Sequence, residues 1–133
     1  MQVLHNTLMV HLVVAVALLE FLFFGFAVGK ARETYGVKAP ATSGNEMFER
    51  YHRVQMNTLE LLVVFIPAIQ LFALYVDARI AAALGLVFVI GRAWYFRQYI
   101  RDPSKRSVPF GVSFLPVVIL LLGALIGAAL HFR

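Results

Sequence analysis

SVPFGVSFLPVVILLLGALIGAALHF, residues 107–132, contains no Lys, Arg, Asp or Glu. A helix needs about 20 apolar residues to cross a bilayer core, and lipid demands that backbone polar groups be satisfied within the segment, so this run predicts a spanning helix. Working outward from its apolar heart, Phe110–Leu130, three further stretches have similar length and character: Leu8–Val28, Leu59–Val76 and Ile80–Tyr99. The third contains Arg92 and Arg97, so its last turns are expected to leave the membrane or face a polar pocket. The first exceeds the roughly 7–15 apolar residues of a signal-peptide core, and basic Lys30 and Arg32 follow it instead of a small-residue cleavage site. Pro67 and Pro116 fall inside spans two and four, where each removes a backbone donor and can either bend its helix or serve packing alone.

Composition agrees with this reading. Of 133 residues, 61% are hydrophobic and 14% are charged, against about 25% charged in soluble domains. The chain has no cysteine, which excludes a disulfide framework, a thiolate metal site and a cysteine nucleophile. Any thiol chemistry must come from a substrate. The net charge of +5 could suit nucleic acid, anionic lipid or a small anion, and the placement of the charges decides. Lys30, Arg32, Lys38, Arg50 and Arg53 lie between spans one and two, and Arg92, Arg97, Arg101, Lys105 and Arg106 lie near the end of span three. The positive-inside bias puts both clusters in the cytoplasm and both termini on the other face. This charge pattern predicts four membrane-spanning helices of alternating, up-down direction in one domain over residues 1–133, with no nucleic-acid partner.

Glu49–Glu60 reads ERYHRVQMNTLE, in which Arg50, Arg53, Asn57 and Glu60 fall within about an 80° arc of one helix face. A polar stripe therefore enters the membrane. Glu60 lies inside the apolar run, where a charge needs a cationic partner such as Arg53 or Arg92, or an aqueous cavity. Gln55 is on the opposite face, so a polar site that uses it belongs to a neighbouring subunit. In span three Arg92, Tyr95 and Tyr99 make a second stripe, with Arg106 beyond. Guanidinium forks, a carboxylate and phenols together suit a small zwitterion with more than one carboxylate. Asp102 before Pro103 reads as an N-cap with proline at the first helical position, which would place Lys105 and Arg106 in a first helical turn. The four histidines lack the spacing of a metal site, and no metal is expected. Glu20, in the middle of span one, is a candidate proton or cation site.

Three motifs, VGKARETYGVKAP (28–40), ERYHRVQMNTLE (49–60) and GRAWYFRQYIRDPSKRS (91–107), occur in the order and at the spacing of the MAPEG proteins, the membrane-associated proteins of eicosanoid and glutathione metabolism. The chain resembles that family over almost its whole length, and its first and last motifs look most like the microsomal glutathione transferase type three branch. The resemblance implies a homotrimer of four-helix bundles that binds glutathione between subunits on the cytoplasmic side. Arg53, Asn57, Glu60, Tyr95 and Tyr99 would hold the tripeptide from one subunit, with Gln55 and either Lys30 or Arg32 reaching in from the next. Arg106 would match the catalytic arginine placed at the thiol. The implied activity is a glutathione transferase for lipophilic electrophiles, with glutathione peroxidase activity toward lipid hydroperoxides. Leu61 stands where the leukotriene-synthesising branch carries a tyrosine, which argues against leukotriene synthesis. A bacterial inner membrane is the expected location. The residues leave a second class open, a small four-helix multidrug or cation antiporter in which Glu20 carries the coupling proton.

Overall fold

The computed structural model describes residues 1–132. Four α-helices follow one another: α1 (Gln2–Tyr35), α2 (Glu46–Tyr75), α3 (Ala78–Arg101) and α4 (Ser107–His131), each long and apolar enough to cross a membrane. With 34 residues in α1 and 30 in α2, these two are about 51 and 45 Å long. They overrun the apolar stretches that the sequence marks, and the overhang carries Lys30, Arg32, Arg50 and Arg53. Large side chains such as Leu19, Phe23 and Phe26 are exposed on the bundle's outer surface. Lipid is the solvent for such a surface, because a soluble monomer does not show so much contiguous apolar area. The protein is an integral, multi-pass membrane protein.

The connections follow from local chemistry. Gly36, at φ 69°, ends α1 in the left-handed conformation, which glycine adopts without a Cβ penalty. Asn45 caps α2 by accepting from the Phe48 amide at 3.0 Å. Asn45→Ala removes that acceptor and is expected to cost about 1 kcal/mol, read as a lower Tm of the purified protein; an unchanged Tm would mean that this helix start is fixed by packing alone. Asp77 caps α3 by accepting from the Arg79 and Ile80 amides.

The helices α1 and α4 each pack against α2 and α3. Inside, Phe65 and Phe88 stack with ring centroids 4.0 Å apart, among Val10, Val13, Ala17, Ile69 and Leu120. Glycines set how closely the helices approach, as is usual where small residues replace a hydrophobic driving force between spans. A Cβ on Gly85 would meet Val13, and one on Gly91 would meet the backbone of Ser113.

Asp102 is an N-cap with Pro103 at the first helical position, as the sequence predicts, but the helix it opens is a single 3-10 turn, Pro103–Lys105, and α4 starts separately at Ser107. Lys105 ends that turn, and Arg106 lies between it and α4. The Ser104 hydroxyl and amide both donate to the Asp102 carboxylate, which holds this group below the usual carboxylate range. The helices α2 and α4 run continuously through Pro67 and Pro116.

Candidate active site

One cavity of about 530 Å³ is lined by Arg53 and Asn57 from α2, Tyr95 and Tyr99 from α3, and Arg106, Ser107 and Phe110 from the start of α4. Its volume falls within the range of small-molecule sites. Five of the residues singled out from sequence thus meet in one place. Glu60 joins them indirectly: its carboxylate accepts from Arg53 Nη1 at 3.2 Å, and both side chains are at least half exposed. Arg106 is exposed, and among the described residues its side chain makes one hydrogen bond, from Nη1 to the Pro103 carbonyl at 3.0 Å. The 3-10 turn therefore holds the guanidinium at the cavity and leaves most of its donors free.

Arg92 departs from the expected stripe. It is completely buried, and it is not bonded to Glu60, whose partner is Arg53. Nη1 donates to Asn57 Oδ1 at 2.7 Å and Thr58 Oγ1 at 3.3 Å, while Nε and Nη2 both donate to Ser113 Oγ. Thr58 and Ser113 in turn donate to the carbonyls of Val54 and Phe110. Their hydroxyl protons are used by their own helices, so their lone pairs face the guanidinium. The guanidinium also lies 4.2 Å from the centre of the Tyr95 ring, a favourable cation–π distance. Arg92 ties α2, α3 and α4 together behind the cavity wall. Thr58 and Ser113 were missed from sequence, although an arginine deep in a span requires oxygens on its neighbours.

Gln55 and Lys30 lie elsewhere. They line a second open groove, of about 550 Å³, with Phe21, Gly25, Gly29 and Glu33. It shares no residue with the first cavity. A Cβ on Gly25 would come within 3.1 Å of the Gln55 amide nitrogen, so this glycine gives Gln55 its place. Arg32 is held differently: Nη1 donates to the Ala41 carbonyl at 2.7 Å, and the guanidinium covers the Phe48 ring at 4.7 Å. It fastens the loop between α1 and α2. Leu61 is buried in the core.

A family model described as the MAPEG family matches residues 10–126. An uncharacterised protein of Synechocystis is 46% identical over 122 residues, covering 92% of this chain and 89% of that protein. Microsomal glutathione S-transferase 2 of Homo sapiens is 38% identical over 104 residues, 77% of this chain and 71% of its own. Leukotriene C4 synthase of Bos taurus is 32% identical over 126 residues, covering 92% and 84% respectively. A match of this extent, on four spans whose α2, α3 and α4 residues converge on one polar cavity, means that the chain belongs to the MAPEG family.

Proposed function

We propose that the protein is a membrane-bound glutathione transferase that conjugates glutathione to lipophilic electrophiles and also reduces lipid hydroperoxides. The observation that carries this reading is the convergence of Arg53, Asn57, Tyr95, Tyr99 and Arg106 on one cavity in a MAPEG chain. Guanidinium and amide donors suit the carboxylates of glutathione, and the Glu60 carboxylate beside Arg53 suits its ammonium. Arg106 is assigned to the sulfur. A free thiol is mostly protonated at neutral pH, and an adjacent cation shifts it toward the nucleophilic thiolate.

In conjugation the thiolate forms a carbon–sulfur bond, and the electrophile either loses its leaving group or opens its strained ring. In peroxide reduction the thiolate attacks the terminal oxygen of the hydroperoxide and the O–O bond breaks. The alkoxide takes a proton and leaves as an alcohol, and a second glutathione reduces the resulting sulfenic acid to water and the disulfide. The bilayer concentrates either lipophilic substrate next to the site.

The separation of the two grooves fits a homotrimer in which one protomer's Arg106 cavity meets the next protomer's Gln55 and Lys30. Lys30 is assigned there in preference to Arg32, because Arg32 is already engaged by Ala41 and Phe48. Both basic loops are assigned to the cytoplasm and both termini to the opposite face of a bacterial inner membrane. The antiporter reading gains no support from the polar cavity, to which Glu20 does not contribute.

The first test titrates glutathione into the detergent-purified protein at neutral pH and follows thiolate absorbance. A saturable signal is expected, and none, with no binding heat, would overturn the reading. A second test addresses the shared site. Gln55→Leu and Arg106→Ala protomers are each expected to be impaired alone. Co-assembled, they should recover activity, because some interfaces then combine an intact Arg106 face with an intact Gln55 face. Activity no greater than the sum of the separate variants would place the whole site within one protomer.

A further inference from the structure

Glu20 is absorbed by no part of the catalytic proposal, yet one of its carboxylate oxygens is buried without a hydrogen-bond partner among the described residues. Its surroundings follow from the register of two parallel helices. Val13 of α1 lies against Gly85 of α3, and Phe24 of α1 stacks on Phe96 of α3 with ring centroids 4.7 Å apart. Seven residues beyond the first pair and four before the second, both helices reach the same level at Glu20 and Arg92. Arg92 is fully buried, and its hydrogen-bond acceptors, Asn57, Thr58 and Ser113, are all neutral. A formal charge at this depth requires a counter-charge. Glu20 is the acidic residue of α1 that this register brings to the level of Arg92.

We infer that Glu20 is the intramembrane counter-charge of Arg92, and that the pair positions Asn57 and Tyr95 in the glutathione site. A guanidinium has donors only, so Asn57 must turn its oxygen toward Arg92 and is left with its Nδ2 protons for the cavity. An amide fixed in this sense donates to a ligand carboxylate or carbonyl. If the cation is lost, the amide is free to present its oxygen, which repels the same group. Tyr95 is held in the same way, by the guanidinium over its ring. Glu20 and Arg92 are positioning residues, because neither lines the cavity.

The test is a double-variant cycle on the purified full-length protein with Glu20→Gln, Arg92→Met and both together, reading Tm and, with glutathione and an aromatic electrophile, KM and kcat. Glu20→Gln is expected to lower Tm by roughly 5 °C and Arg92→Met by roughly 10 °C, with the double variant more stable than Arg92→Met, because it no longer strands a carboxylate. The glutathione KM is expected to rise about tenfold in Arg92→Met, the effect of one misplaced hydrogen bond to a charged group. It should remain raised in the more stable double variant, with kcat changed much less. A merely structural role would restore KM together with Tm. If Arg92→Met does not accumulate, Arg92→Lys takes its place: it keeps the charge, so Glu20→Gln should still lower its Tm, while loss of the planar fork still raises KM. Additive Tm changes, or a Glu20→Gln variant identical to wild type in both readouts, would overturn the inference. The KM arm rests on glutathione being the ligand, for which wild-type turnover is the control. The Tm arm stands without it, so failure of the charge pairing and failure of the glutathione reading are distinguishable.

Discussion

Arg106→Ala is expected to abolish the saturable thiolate signal of bound glutathione and to lower kcat by about 10²–10³-fold, the usual effect of removing one oriented electrostatic donor from a reacting centre. The side chain is exposed and is tethered by a single bond to the Pro103 carbonyl, so its loss should leave Tm and assembly unchanged. The glutathione KM should change only a few-fold, because Arg53, Asn57, Tyr95 and Tyr99 remain. The pH profile separates this role from simple binding. With the guanidinium present the bound thiol is already ionised near neutral pH, and the rate should be flat there. Without it the thiol returns toward its free value of about 8.5, and the rate should climb roughly tenfold per pH unit through neutrality. Arg106→Lys should fall between the two, since it keeps a charge but loses the fork. A variant with wild-type kcat and a flat profile would remove Arg106 from the chemistry.

Much of this arrangement is legible from residues close together in the chain. The uncharged run after Arg106 gives α4, and the spacing of Arg53, Asn57 and Glu60 gives the face of α2 on which they lie. The opposite placement of Gln55 follows from the same periodicity, and the structure keeps it in a separate groove. Arg92 shows where such reasoning stops. Its spacing aligns it with Tyr95 and Tyr99, but the direction of its guanidinium is set by Thr58 and Ser113, more than 20 residues away on two other helices. Helical periodicity fixes a residue's angle about its own axis and says nothing of which neighbour supplies an acceptor there. Asp102 and Pro103 mark a helix start by local chemistry alone, but proline is tolerated in the first turn of any helix. Pro109 satisfies the same rule in the first turn of α4, so only packing decides that the first start yields a separate 3-10 turn. Lys30 and Arg32 are basic and close in sequence, and only the fold shows that a loop carbonyl and an aromatic ring, at Ala41 and Phe48, engage Arg32.

These details make the cavity a product of helix spacing as much as of its polar side chains. Asn57 depends on Arg92, which depends on Ser113, and Ser113 can reach Arg92 only because α3 and α4 approach closely at Gly91. The site and the bundle are therefore coupled at a position that carries no functional group.

Gly91→Ala is accordingly expected to be among the most damaging substitutions of its size, costing roughly 3 kcal/mol. A Cβ there would stand 2.8 Å from the Ser113 amide nitrogen and 3.0 Å from its Cα. Backbone cannot swing aside as a side chain can, so α4 would have to move away from α3 and take the Ser113 hydroxyl with it. Tm should fall by roughly 10 °C, and the glutathione KM should rise because Arg92 loses the acceptor of two of its bonds. Two other glycines calibrate the result. Gly85→Ala meets side chains and no backbone, Val13 Cγ1 at 2.6 Å, Ile69 Cδ1 at 2.7 Å and Phe65 Cζ at 3.5 Å, and these can give way without moving Ser113, so its cost should be smaller and the KM unaffected. Gly111→Ala meets nothing within 4 Å and should leave Tm unchanged or slightly raised, as alanine favours the helix. The order Gly91, Gly85, Gly111 in loss of Tm, with the KM change confined to Gly91, is the expected outcome. A Gly91→Ala protein as stable as Gly111→Ala would mean that α3 and α4 do not meet there, and that Arg92 is held by contacts other than those to Ser113.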